Sequence, residues 1–135
     1  MSARRKARKR ALDVLFSADV RELDLDEAVA QARLEAAREP ERQTTWVYAE
    51  QILSGVLLHR YEIDDVISRT STSWPLDRMP AVDRAILRIG VWELLHNDEI
   101  PVPVAISEAL EIANELSTES SGGFVHGILA KIAES

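Results

Sequence analysis

Two groups of side chains have types and spacing suited to chemistry with nucleic acid. Arg4, Arg5, Lys6, Arg8, Lys9 and Arg10 place six cations in the first ten residues, with no acid among them. Cations at this density neutralise phosphates, and a guanidinium can also stack on a base. Near the other end, Ser120-Ser121-Gly122-Gly123 runs directly into Phe124, with His126 two residues further on. Free N–H groups at a helix N-terminus attract anions, glycines allow close approach, and an aromatic face can carry an unpaired base. Each group also has a plain structural reading. The basic stretch reads equally as a solvated tail, and the serine–glycine run as a capping turn with Phe124 in the core.

Catalytic signatures do not accompany them. The sequence holds no HExxH, P-loop, GxGxxG or GxSxG pattern and no cysteine, so thiol chemistry, disulfides and thiolate metal sites are excluded. Asp64 and Asp65 are adjacent, so on a helix their side chains splay by about 100° and suit solvation rather than shared acid–base work. His59, His96 and His126 are the only histidines. His59 and His96 each fall near a predicted helix C-terminus, where a cation is favourable. No catalytic residue, metal site or cofactor is expected.

The elements that must position these residues read as helices throughout. Ala7, Ala11, Leu12, Leu15, Phe16 and Ala18 continue the basic stretch at helical spacing, which puts Arg4, Arg5 and Arg8 on the first turns of a helix. A second helix is expected to about Arg38, capped by Asp24 or Asp26. A third opens at Thr44 or Thr45, and a short fourth covers roughly Ile63 to Thr70. Ser71-Thr72-Ser73-Trp74-Pro75 breaks the pattern, because a residue before proline avoids the α region. Trp74 is expected to pack the junction between the helix groups on either side. Ala81 to about His96 is apolar nearly all round, with Arg84 and Arg88 on a narrow polar face, so it reads as the central helix. Further helices run from about Val104 to Leu116 and, after a turn over Ser117–Gly123, through Phe124, Val125, Ile128, Leu129 and Ile132. The fold class is therefore all-α, about seven helices in one domain, with subdomains of about 1–72 and 73–135.

Charge focuses this picture. The 135 residues carry a formal net charge of −7, which argues against general nucleic-acid binding. The first ten residues contribute +6, so the remaining 125 sum to −13. A basic arm on an acidic body confines phosphate contact to one end. No apolar run approaches the roughly 20 residues of a membrane span. Asp13 and Asp19 interrupt any export signal, so a cytoplasmic protein is expected.

Three segments, taken together, resemble the bacterial NusB family. They are Arg4-Arg5-Lys6-Ala7-Arg8 with Ala11-Leu12-Asp13-Val14-Leu15-Phe16; Val82-Asp83-Arg84-Ala85-Ile86-Leu87-Arg88-Ile89 with Trp92-Glu93-Leu94; and Pro103-Val104-Ala105-Ile106-Ser107-Glu108-Ala109, ending in Phe124-Val125-His126-Gly127-Ile128-Leu129. The blocks fall in the family's order over nearly the whole chain. The resemblance implies an all-helical transcription antitermination factor. It would bind the single-stranded boxA element of ribosomal RNA leader transcripts together with NusE, a small-subunit ribosomal protein. The complex would join the elongating RNA polymerase with other Nus factors.

By the same resemblance, Arg4, Arg5, Lys6 and Arg8 form the main RNA surface and Phe124 is a further RNA contact. Ser120, Gly122 and His126 lie beside it. Phe16 and Asp83 match positions that face NusE. Three positions depart from the pattern. His126 and Ser107 stand where asparagine is usual, and Ser120 where aspartate is common. Losing that acid next to an RNA surface favours phosphate approach. Both monomers and a homodimer are compatible with the resemblance. The alternative is a helical protein–protein adaptor whose basic helix binds an acidic partner. NusB-like domains also precede RNA cytosine methyltransferase domains, but no such domain is expected here. A DNA-binding helix-turn-helix fits less well, because the cations lie on the first helix.

Overall fold

The structure, a computed structural model, describes residues 2–135. Among them are seven α-helices and no strand: α1 (Ala3–Val20), α2 (Leu25–Ala37), α3 (Gln43–Leu58), α4 (Arg60–Thr70), α5 (Ala81–His96), α6 (Val102–Leu116) and α7 (Ser121–Glu134). Short 3-10 turns cover Pro40–Arg42 and Leu76–Arg78. None of the described helices is long and apolar enough to cross a membrane. The chain forms two compact units, Met1–Leu58 and His59–Ser135.

In the first unit α1 packs mainly on α3, and α2 lies against both. The buried stripe of α1 is Ala7, Ala11, Leu12, Leu15 and Ala18. Its small residues let Ile52, Leu53 and Val56 of α3, all buried, come close. Ser2 caps α1, its hydroxyl accepting the Arg5 N–H at 3.1 Å. This cap makes the basic segment helical from its start, as the apolar spacing requires. At the other end Glu22 takes a left-handed φ of 54°, and the Leu23 N–H bonds back to Ala18 O at 2.8 Å. That closure usually uses glycine, because a Cβ disfavours the left-handed conformation.

In the second unit α5 is central, contacted by α4, α6 and α7. Its boundaries match the expected Ala81–His96. Ile63 and Ile67 of α4, Ile86, Leu87 and Val91 of α5, Ile112 of α6, and Val125 and Leu129 of α7 are all buried. The polar face of α5 is used for joints. Arg88 meets Asp64 of α4 in a two-pronged pair at 2.9 and 3.0 Å. Arg84 donates to the carbonyls of Leu76 and Met79 at 3.1 and 2.7 Å. Asp65 faces away and pairs with Arg69 at 2.8 Å on its own helix.

The structure differs from the sequence reading in three places that matter later. First, α4 begins at Arg60, with only His59 between it and α3, and packs on α5 and α7. The unit boundary therefore falls at 58/59 rather than at the proline break near 72. Second, α6 begins at Val102 with Pro103 inside its first turn, where a missing N–H costs nothing. Third, Ser121, Gly122 and Gly123 are already helical, with Ser120 at the N-cap position.

Candidate nucleic-acid interface

The basic residues sit where a helix would least choose them. The N-terminal end of a helix carries partial positive charge, so each cation there is disfavoured by about 0.3–1 kcal/mol. The first turn of α1 contains no acid to compensate. Tyr48 of α3, itself buried, supplies part of the support. The Arg4 guanidinium carbon lies 4.3 Å from its ring centroid and that of Arg8 lies 5.6 Å away. Such contacts contribute on the order of 0.5–2 kcal/mol.

These arginines are not equivalent. Arg4 and Lys6 are exposed and Arg5 is half-buried. Arg8, expected on the RNA surface, is only 2% exposed and shares the Tyr48 ring. Helical spacing explains the difference, since Arg8 follows Ala7 onto the inward stripe with Ala11 and Leu12. Arg10 is tied down as well. It donates to Arg42 O at 2.9 Å and Thr45 Oγ1 at 3.0 Å, with its guanidinium 5.3 Å from the Trp46 ring. Burial, then the neighbouring Arg42 guanidinium, lowers its pKa from the ordinary arginine value. Phe16 is 37% exposed on α1, which leaves its ring available to a partner.

In the second unit the start of α7 is built on a buried carboxylate. Asp83, in the first turn of α5, is fully buried and accepts the hydroxyls of Ser117 at 2.6 Å and Ser121 at 2.9 Å. Thr118 Oγ1 lies 2.8 Å from Ser121 Oγ. The helix N-terminus and two donors together stabilise the charge in the interior. Asp83, expected to face NusE, is enclosed here and fixes the α6–α7 turn.

The glycines divide in the same way. Gly122 is buried, and a Cβ there would run into Asn114 Oδ1 and approach Leu110 Cδ1 to 3.1 Å. Gly122, expected in an anion-binding turn, thus lets α7 pack closely on α6. A Cβ at Gly123 would meet nothing within 4 Å, so the open glycine is its neighbour. Phe124 is half-buried, and Ser120 and His126 are exposed. The Phe124 ring meets Trp74 edge-on, with centroids 5.3 Å apart at 69°. Trp74 is itself 37% exposed. The tryptophan expected only as a packing residue thus completes an aromatic pair beside Ser120 and Gly123. Its position before Pro75 identified a break but carried no signal that it would meet a residue fifty positions away.

The arrangement offers cations on a capped helix in one unit and an aromatic pair beside a helix N-terminus in the other.

A family model described as the NusB family matches residues 5–134. The transcription antitermination protein NusB of Leifsonia xyli subsp. xyli is 60% identical over 134 residues, covering 99% of this chain and 93% of the relative. Among solved structures, T. maritima NusB superposes with a TM-score of 0.83 at 35% identity, covering 100% of this chain and 93% of that one. A structure of the antitermination factors NusB and NusE in complex with dsRNA matches with a TM-score of 0.81 at 26% identity, covering 99% and 98%.

Proposed function

The chain belongs to the NusB family, and on that premise we propose that it is a transcription antitermination factor. It binds the boxA element of ribosomal RNA leader transcripts as a single strand, together with NusE, and joins the elongating polymerase with other Nus factors. The observation that carries the reading is the capped start of α1. A helix that accepts cations at its disfavoured end, holds Arg4 over a buried tyrosine and leaves Arg4 and Lys6 exposed presents charge outward.

In this reading Arg4, Arg5 and Lys6 neutralise phosphates, while Arg8 holds the Tyr48 side of the helix. Phe124 with Trp74 offers a stacking surface, and base–aromatic stacking contributes about 1–3 kcal/mol per base. Ser120, Gly123 and His126 flank that surface. The body's charge of −13 outside the arm repels phosphate elsewhere, so tight binding depends on NusE. Phe16 is assigned to that partner. Coupling between RNA and partner of about 1–3 kcal/mol is typical of such ternary assemblies. No covalent step is proposed.

The test is fluorescence anisotropy with a short boxA RNA, a scrambled strand and a boxA duplex, each with and without NusE. The duplex arm is included because the RNA named for the solved complex is double-stranded. Selective binding of the boxA strand, strengthened by NusE, is the expected result. Equal weak binding to all three, unchanged by NusE, would replace this reading with the protein–protein adaptor.

A further inference from the structure

We propose that His59, Glu62 and His96 form a binding site for a divalent transition-metal ion of the zinc class, at the joint between the start of α4 and the end of α5. His59 is the residue immediately before α4, Glu62 lies in the first turn of α4, and His96 is the last residue of α5. The three come from positions up to 37 apart in sequence, and one donor atom from each lies within 4.8 Å of the other two.

The chemistry of the set is specific. Two imidazole nitrogens and one carboxylate oxygen suit zinc and neighbouring ions, and disfavour magnesium and calcium, which take oxygen ligands. Glu62 already faces both rings. Its Oε2 lies 3.6 Å from His59 Nδ1 and its Oε1 lies 3.2 Å from His96 Nε2. Ligand atoms around a tetrahedral zinc are about 3.3 Å apart, from bond lengths of about 2.0–2.2 Å. Each imidazole thus already has one oxygen of the same carboxylate at a distance close to that between ligands of a bound ion.

A second observation points to a ligand. His96 Nε2 is shielded from solvent and makes no hydrogen bond, although Glu62 Oε1 lies 3.2 Å away. A buried polar atom left without a partner is costly, and an ion is one of the few groups that would satisfy it. The two imidazoles stack face to face, with centroids 3.6 Å apart and planes 8° from parallel. A metal takes the in-plane lone pair of each ring, so binding requires one ring to turn. The His59 side chain is 30% exposed and stands outside the helix, which leaves it the freedom to do so. Glu62 is 52% exposed, so coordination positions beyond these three are open to water.

A bound ion would clamp α4 to α5 where the second unit begins, adding to the Arg88–Asp64 pair further along the same two helices. It is independent of RNA binding, since none of the three residues belongs to the candidate interface. The experiment is isothermal titration of the untagged full chain with zinc chloride, with nickel and magnesium chlorides as comparison ions, and melting followed by circular dichroism. One equivalent of zinc should bind saturably and raise the melting temperature, whereas magnesium should do neither. His59→Gln and Glu62→Gln change a half-buried and an exposed side chain and should keep the far-ultraviolet spectrum, yet each should weaken zinc by at least about tenfold. His126→Gln should leave zinc affinity unchanged. Absence of saturable zinc binding would overturn the proposal, as would zinc affinity that survives both His59→Gln and Glu62→Gln.

Discussion

Three helical glycines receive the same substitution with opposite expected outcomes. In each case alanine removes the backbone entropy cost of glycine in a helix, a gain of about 1 kcal/mol where nothing opposes it. At Gly123 and Gly127 an added Cβ meets nothing within 4 Å, so Gly123→Ala and Gly127→Ala should each gain about 0.5–1 kcal/mol. At Gly90 of α5 the added Cβ would lie 2.8 Å from Leu129 Cδ1 and 3.0 Å from Cδ2. Leu129 is fully buried on α7, so it cannot swing into solvent. Overpacking of this kind costs about 1–3 kcal/mol, which offsets the helix gain and leaves Gly90→Ala up to about 2 kcal/mol less stable than the parent. For a chain of this size each kcal/mol moves the melting temperature by roughly 3–5 °C. Circular dichroism melts should therefore separate Gly90→Ala from Gly127→Ala by several degrees. If the two variants melt together, the close approach of α5 and α7 is not what selects glycine at position 90. Gly123→Ala adds a functional arm. If phosphate approaches that backbone, the variant should be more stable yet bind boxA RNA more weakly.

The other predictions follow from the two interface regions. Asp83→Ala leaves the Ser117 and Ser121 hydroxyls without their acceptor and should lower stability by about 2–3 kcal/mol in urea unfolding; an unchanged midpoint would mean that Asp83 does not pin the turn. Ser120→Asp restores an acid beside the Phe124 surface and should weaken RNA binding, while an acid at a helix N-cap keeps or slightly raises stability; unchanged affinity would remove Ser120 from the interface. Phe124→Ala and Trp74→Ala should each weaken RNA binding by roughly 1–3 kcal/mol in anisotropy, and loss in only one would show that the pair does not act as a unit. Glu22→Gly, at the left-handed end of α1, should raise the melting temperature modestly, with no effect on RNA affinity.

Much of the fold was legible because its signals are local. The wide apolar face of Ala81–His96 set α5, and the spacing from Ala7 to Ala18 set α1. The start of α7 was read late because Gly122 and Gly123 look like a turn, and only the close approach of Asn114 and Leu110 explains a helical glycine there. The unit boundary was drawn at about 72 because the break over Ser71–Pro75 is visible in sequence, whereas the partner of the Ile63–Ile67 stripe is not. Burial sorted the site in the same way. Arg8 and Asp83 belong to recognisable motifs, yet the first faces inward with Ala7 and Ala11, and the second is enclosed by serines more than thirty residues away. The counting argument that set aside a metal site was sound for isolated histidines. It could not anticipate that the ends of two helices would stack His59 on His96.

The central claim is that the start of α1 binds RNA through phosphate contacts. Its most direct test is the salt dependence of boxA affinity, with NusE present, for the parent chain and for a variant carrying Arg4→Ala, Arg5→Ala and Lys6→Ala. Each neutralised phosphate on a single strand contributes about −0.7 to the logarithmic slope. Loss of three contacts should flatten the slope by about 2 and weaken binding at low salt, with the melting temperature nearly unchanged. An unaltered slope in a folded variant would contradict the account and place RNA recognition elsewhere.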